Sequence, residues 1–167
     1  MDKEDIKNLV VKINFRLSDS FFQYFTNITL SMETNNYVCE GVIFDISDTP
    51  DNEPLTLFTG ILKRDEGQVK QIMSEAVWGN ILNKLFDEMD LLSWEKNSEY
   101  AVFDGESWTI TITLQNNEVL VIEGDSASYP AGWSDFLQLF RQVYITYGSL
   151  GGEWWEEHRR LWGEMET

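Results

Sequence analysis

The chain has 167 residues and a net charge of −17, from 12 basic and 29 acidic side chains. Such an acidic surface repels nucleic acid and anionic membranes, and it attracts basic partners over a Debye length of about 8 Å at physiological salt. With 43% hydrophobic and 14% aromatic residues, the chain is too apolar for a disordered acidic tail, so we expect a folded single domain over residues 1–167.

The cysteine content and the N-terminus bear on the compartment. Cys39 is the only cysteine, which excludes an intrachain disulfide. The charged N-terminal residues lack the apolar core of a signal peptide, and no run approaches the ~20 apolar residues that span a bilayer. We therefore expect a cytoplasmic protein without a membrane partner.

The first half, residues 1–93, begins with alternation of apolar and polar residues, which predicts strands over residues 11–17, 28–32 and 37–46. An acidic, proline-containing loop over residues 48–54 and a fourth strand over residues 55–62 follow. Apolar residues then recur at steps of three and four from Val69 to Leu92, which predicts one long amphipathic helix. Gly79 lowers the stability of that helix by roughly 1 kcal/mol relative to alanine.

The second half, residues 94–167, repeats the order of strands followed by helix. Trp108, Ile110, Ile112 and Leu114 alternate with threonines, a turn follows at residues 115–117, and a strand is predicted over residues 118–123. A helix then carries an apolar stripe from Phe136 to Tyr147, and glycines from Gly148 onward separate it from a short C-terminal helix. The predicted class is α+β, with one or two antiparallel sheets, a long helix after the first strands and a second helix after the hairpin.

A set of aromatic, glycine and proline residues in the second half has a recognisable order and spacing. The set comprises Trp94, Tyr100, Asp104-Gly105, Trp108, Gly124, Tyr129-Pro130, Trp133 and Phe136. Over residues 94–144 the chain resembles an uncharacterised bacterial domain with a DGxxW hairpin followed by G-x(4)-YP-x(2)-W-x(2)-F. The resemblance implies a fold and a bacterial or phage origin, and it implies no activity. The residues themselves favour a structural role, with a ligand pocket as the alternative.

The residues that carry common catalytic chemistry are scarce. His158 is the only histidine, so a zinc site with two histidines cannot form within the chain, and we expect no histidine-dependent triad. We expect His158 on the surface and Cys39 as a small buried hydrophobe. The glycines after Tyr147 lack the Lys-Ser/Thr of a phosphate-binding loop. We therefore predict no enzyme, cofactor or metal, with a glycosidase-like carboxylate pair as a weaker alternative.

Two long segments without lysine or arginine supply most of the candidate binding residues. They span residues 17–62 and 97–140. The candidate partner-binding residues are Asp45, Asp48, Asp51, Glu53, Asp104, Glu106, Glu123 and Asp125, together with Trp154, Trp155 and Trp162 of the terminal helix. The acidic loop lacks the spacing of an EF-hand, so we favour a solvated loop over a calcium site. The terminal indoles either pack on the core or contact the partner.

The favoured hypothesis is a non-enzymatic acidic protein-binding domain, best interpreted as an immunity protein or phage-type inhibitor. Its partner would be a basic nucleic-acid-acting effector such as a nuclease, with carboxylates occupying the positions of phosphates. One alternative is a housekeeping interaction or scaffold domain, whose acidity serves solubility. Another is a small-ligand binder with a pocket lined by Trp94, Trp108, Tyr129 and Trp133. The masking hypothesis predicts that the acidic residues share one side of the fold.

Overall fold

A computed structural model describes residues 2–19, 24–33, 36–45, 72–94, 106–125 and 129–149, and these residues form an α+β fold. The elements in chain order are α1 (Lys3–Leu9), β1 (Val10–Asp19), β2 (Tyr24–Glu33), β3 (Asn36–Asp45), α2 (Glu75–Asn83), a π-helical turn (Lys84–Glu88), a 3-10 turn (Leu91–Ser93), β4 (Glu106–Leu114), β5 (Val119–Asp125), α3 (Trp133–Tyr147) and β6 (Gly148–Ser149).

The strands form one sheet in the order β5-β4-β1-β2-β3-β6. The first five are antiparallel to their neighbours, and the two-residue β6 pairs in parallel with β3. Strand β1 lies in the middle, because it pairs with β2 from the first half of the chain and with β4 from the second. The described strands of the two halves therefore share a single sheet.

The predicted alternation is confirmed on β1 and β4. Ile13, Phe15 and Leu17 of β1 are buried, and their paired residues on β4 are buried with them. The threonines of β4 lie on the opposite face, half-buried. Since successive side chains of a strand point to opposite faces, the buried row marks the face that α2 and α3 cover.

The helix predicted from Val69 to Leu92 is shorter in the structure. Met73 pairs with Tyr37 in an isolated β-bridge, and α2 begins only after Ser74, whose hydroxyl oxygen accepts a hydrogen bond from the Val77 amide at 3.1 Å. Serine at this position satisfies a free amide of the first turn and so fixes the helix start. Apolar spacing alone extends the helix too far, and residues 69–71 lie outside the described residues.

The end of α2 also departs from regular geometry. The backbone continues as the π-helical turn, in which the amide of Met89 donates to the carbonyl oxygen of Lys84 at 2.9 Å. Asp90 then adopts a left-handed conformation with φ of 51°. A π-turn shifts the later side chains around the helix axis, and this brings Leu91 and Trp94 onto the core.

The second predicted helix is present as α3, which begins at Trp133 and ends before Gly148. The predicted loop over residues 48–54, the strand over residues 55–62 and the C-terminal helix lie outside the described residues. No helix in the described part of the chain is long and apolar enough to cross a bilayer.

Candidate functional site

The sheet topology gathers acidic residues at one end of the sheet. Strands β1, β3 and β5 end there, and strands β2 and β4 begin there, because neighbouring strands are antiparallel. Four of the five terminal residues are acidic, and only Tyr24 is not. We name this region the acidic end and define it by Asp19, Asp45, Glu106, Glu123 and Asp125.

The strand registers place these acidic positions side by side. Asp19 of β1 pairs with Glu106 of β4, and Asp125 of β5 pairs with Ser107. By strand alternation Asp125 and Glu123 therefore lie on the sheet face opposite Glu106, and Asp125 is buried, with 7% exposed. Neighbouring strands lie about 4.8 Å apart, so the four steps from β5 to β3 extend the row over about 19 Å. Glu123 lies on β5, two residues before its end, opposite Thr109. Arg16 of β1 also lies opposite Thr109, so one exposed basic residue stands in the same row as Glu123.

The opposite end of the sheet has a different charge pattern. Helix α1 joins β1 at that end and carries Lys3 and Lys7. Lys7 donates hydrogen bonds to the Asn83 amide oxygen at 3.0 Å and to the Asp87 carboxylate at 2.9 Å. Beside Asp87 the pKa of Lys7 lies above its usual value, and the same contact lowers the pKa of Asp87. These two lysines therefore lie away from the acidic end, on a helix that also carries Glu4 and Asp5.

Acidic residues are present at the opposite end as well. Glu33 ends β2 there, and Glu118 precedes β5. Of the candidate residues, Asp45, Glu106, Glu123 and Asp125 lie at the same end of the sheet by strand position, and Glu118 lies at the other end. The remaining candidates lie outside the described residues, namely Asp48, Asp51, Glu53, Asp104, Trp154, Trp155 and Trp162.

Tyr129 connects the acidic end to the helical layer. Its hydroxyl donates a hydrogen bond of 2.5 Å to Oε1 of Glu106, while 43% of the residue stays exposed. Partial burial raises the pKa of the Tyr129 phenol above its ordinary value of 10.0, and the Glu106 hydrogen bond and the charges of Glu106 and Asp125 raise it further. The sequence placed Tyr129 in a motif but carried no signal for this hydrogen bond.

The motif aromatics meet in one corner of the core, which we name the aromatic corner: Trp94, Trp108, Tyr129, Trp133 and Phe136. The Trp133 ring lies 4.8 Å from that of Trp108, 6.1 Å from that of Trp94 and 5.3 Å from that of Tyr129, centroid to centroid. Trp108 is 2% exposed and Trp94 is also buried. The indole N–H of Trp94 donates to the Met89 carbonyl oxygen at 3.2 Å. Most of the corner is thus packed core, and Tyr129 forms its solvent-exposed rim.

Other predicted reactive groups contribute no site in the described part of the chain. Cys39 is 1% exposed on β3, as expected for a small buried hydrophobe. The described residues contain no group of three or more histidine, cysteine, aspartate or glutamate side chains that could hold a metal ion. His158, Tyr100 and Asp104-Gly105 lie outside the described residues.

No protein-family model, curated protein or solved structure matches this chain.

Proposed function

We propose that the protein is a non-enzymatic protein-binding domain whose acidic end takes the basic surface of a partner protein. The observation that supports this proposal is the topology, which gathers four acidic strand termini from separate parts of the sequence at one end of the sheet. The described lysines of α1 lie at the other end. The row of acidic strand termini would attract a basic partner to the acidic end.

The charge of this surface suits fast association with a basic protein. Complementary charge raises association rates, while desolvated aromatic or arginine anchors supply most of the affinity. Tyr129 offers such an aromatic side chain beside Glu106. Within this proposal the finer interpretation is an inhibitor or immunity protein for a nucleic-acid-acting effector, because a surface that binds phosphates also accepts carboxylates.

A capture experiment with charge-neutralised variants tests the proposal. The full chain is immobilised, bacterial lysate is passed over it at about 50 and about 300 mM NaCl, roughly one third and twice physiological ionic strength, and retained proteins are identified by mass spectrometry. Each partner is then purified and its affinity is measured against the double variant Glu106→Gln and Glu123→Gln. We expect binding to weaken roughly tenfold, because each exposed charge pair contributes about 0.5–1 kcal/mol.

The matched control is the double variant Glu33→Gln and Glu118→Gln, which makes the same change in net charge at the opposite end of the sheet. The proposal requires that this control binds like the original chain. Equal losses in both variants would show nonspecific attraction to net charge. A partner whose binding is insensitive to salt and to both variants would instead favour a scaffold domain, and the absence of any partner would contradict the proposal.

A further inference from the structure

Two adjoining cavities form a groove on the helical side of the fold. One has a volume of about 480 Å³ and the other of about 570 Å³, and Met89 and Ala131 line both. Residues 84–94, which comprise the π-helical turn and the residues after it, line one side of the cavities, and residues 129–142, at the start of α3, line the other. We name this surface the helix groove.

The helix groove combines an apolar floor with an acidic rim. Its floor includes Trp94, which is buried, and Met89 and Leu139, which are half-buried. The exposed carboxylates that line it are Glu88, Asp90 and Asp135. Among its described lining residues, Lys84 is the one basic side chain.

The rim is held in place by the local backbone and joins the acidic end. The carbonyl oxygen of Asp90 accepts hydrogen bonds from the Ser93 hydroxyl at 2.7 Å and from the Ser93 amide at 2.9 Å. Tyr129 lines the smaller cavity and donates its hydroxyl hydrogen bond to Glu106. Tyr129 therefore borders both the helix groove and the acidic end, and both surfaces carry acidic residues.

We propose that the helix groove docks an extended segment of a partner protein that combines apolar side chains with lysine or arginine. The inference rests on the proposed function and adds a second surface to it. An apolar side chain of the segment packs against Met89 and Trp94, and its cations face the carboxylates of Glu88, Asp90 and Asp135. The charge of the rim selects a basic segment, and both volumes lie in the range of about 300–1,000 Å³ that is typical of ligand-binding clefts.

The test uses a defined probe, a nine-residue peptide that alternates lysine and leucine. Binding is followed by titration and by amide chemical shifts of the isotopically labelled full chain. We expect the largest shifts at Asp90, Ala131 and Gln138. A peptide with serine in place of leucine keeps the charge and should bind roughly tenfold more weakly, because burying one leucine contributes about 1.5 kcal/mol.

Two groove variants separate docking from general attraction. The triple variant Glu88→Gln, Asp90→Asn and Asp135→Asn should weaken lysine–leucine peptide binding roughly tenfold, at about 0.5 kcal/mol for each charge. Its matched control neutralises Glu33 and Glu40 of the sheet and Glu118 just before β5, which are all exposed, and should bind like the original chain. A second variant, Ala131→Trp, fills the position shared by both cavities and should abolish the shifts while the thermal midpoint stays unchanged.

The outcomes distinguish this inference from the proposed function. Shifts confined to the region of Glu106 and Glu123, with no effect of the groove variants, overturn the helix groove and leave the acidic end as the binding surface. Concentration-dependent shifts at the groove without peptide mean that a second copy of the chain occupies it, which also overturns the inference. Absence of peptide binding would also overturn the inference about the helix groove. The acidic end is tested separately, by the binding of its own variants to the captured partner.

Discussion

Gly41 and Gly79 differ in whether their surroundings leave room for a side chain. Gly41 on β3 has φ of +146°, and a Cβ there would lie 1.9 Å from the carbonyl oxygen of Asn27 on β2. Gly79 within α2 has no neighbour within 4 Å of the same atom. Of these two glycines, Gly41 is therefore the one that the fold requires.

The variants Gly41→Ala and Gly79→Ala should change stability in opposite directions. We expect Gly41→Ala to lower the free energy of unfolding by at least about 3 kcal/mol, because strand β3 must move away from β2. Gly79→Ala should raise it by about 1 kcal/mol through helix propensity. Urea unfolding of both variants measures the difference, and similar destabilisation by both would contradict the register of β2 and β3.

Tyr129 should make stability depend on pH in the alkaline range. Its pKa is raised in the folded chain, so its contribution is complete below its ordinary value of 10.0 and is lost as the pH rises toward the higher folded pKa. The free energy of unfolding should therefore differ between the original chain and Tyr129→Phe by a constant amount below pH 10. Above pH 10 the difference should shrink.

The ultraviolet absorbance of the phenolate provides the direct check. Tyr129 should titrate later than an exposed tyrosine, and the late step should be missing from Tyr129→Phe. In Glu106→Gln the amide oxygen still accepts the hydrogen bond but the charge is gone, so the step should move back toward lower pH. An unchanged titration in Glu106→Gln would show that Glu106 does not act on Tyr129.

At the scale of elements, Trp133 ties the start of α3 to the sheet. Its ring contacts Trp108 of β4, Phe15 of β1 at 5.8 Å and Phe136 of α3 at 5.6 Å between centroids. Trp133→Ala should lower the free energy of unfolding by about 3 kcal/mol. This is the lower end of the range for replacing a core aromatic residue with alanine, because Trp133 is only half-buried.

The control Trp133→Phe keeps a ring at the same position and should lower the free energy of unfolding much less. Both variants are compared by urea unfolding and by near-ultraviolet circular dichroism, which reports the packing of the remaining tryptophans. A loss in Trp133→Ala as small as that in Trp133→Phe would mean that α3 is anchored elsewhere, through Phe136 and Phe140.

The elements differ in how much of their structure the sequence predicts. Local periodicity is sufficient for β1, β4 and α3, because burial of one face produces a regular apolar pattern. Periodicity fails at the end of α2, because the π-helical turn changes which side chains face the core and no residue type in the sequence marks that turn. The start of α2 depends on the Ser74 cap and on the bridge between Met73 and Tyr37, which joins residues far apart in sequence.

The sequence indicates which residues are candidates for the site more readily than how those residues are arranged in space. Glu106 and Asp125 were candidates from charge alone, but alternation does not specify which strands are neighbours. The central position of β1 decides that Asp19 lies beside Glu106. The hydrogen bond from Tyr129 to Glu106 and the helix groove both depend on that tertiary arrangement, so no local pattern indicates them.

At the scale of the whole molecule, net repulsion and local attraction compete. The net charge of −17 opposes the compact state, because folding brings the carboxylates closer together. Lys3 and Lys7 make the opposite contribution, since both contact Asp87, at 3.6 and 2.9 Å. Salt screens both effects, and the sign of its influence on stability shows which one is larger.

We expect repulsion to dominate, because acidic residues outnumber basic ones by 29 to 12. Raising NaCl from about 10 to about 150 mM shortens the Debye length from ~30 to ~8 Å, so separated carboxylates repel each other less. The thermal unfolding midpoint should rise by a few degrees, about 3 °C for each kcal/mol in a chain of this size. Potassium chloride at equal ionic strength should give the same shift, because this range lies below strong ion-specific effects. A midpoint that falls with salt would mean that attractive contacts such as Lys7 with Asp87 outweigh the repulsion, and the acidic end would then be a weaker source of attraction for a basic partner than its charge suggests.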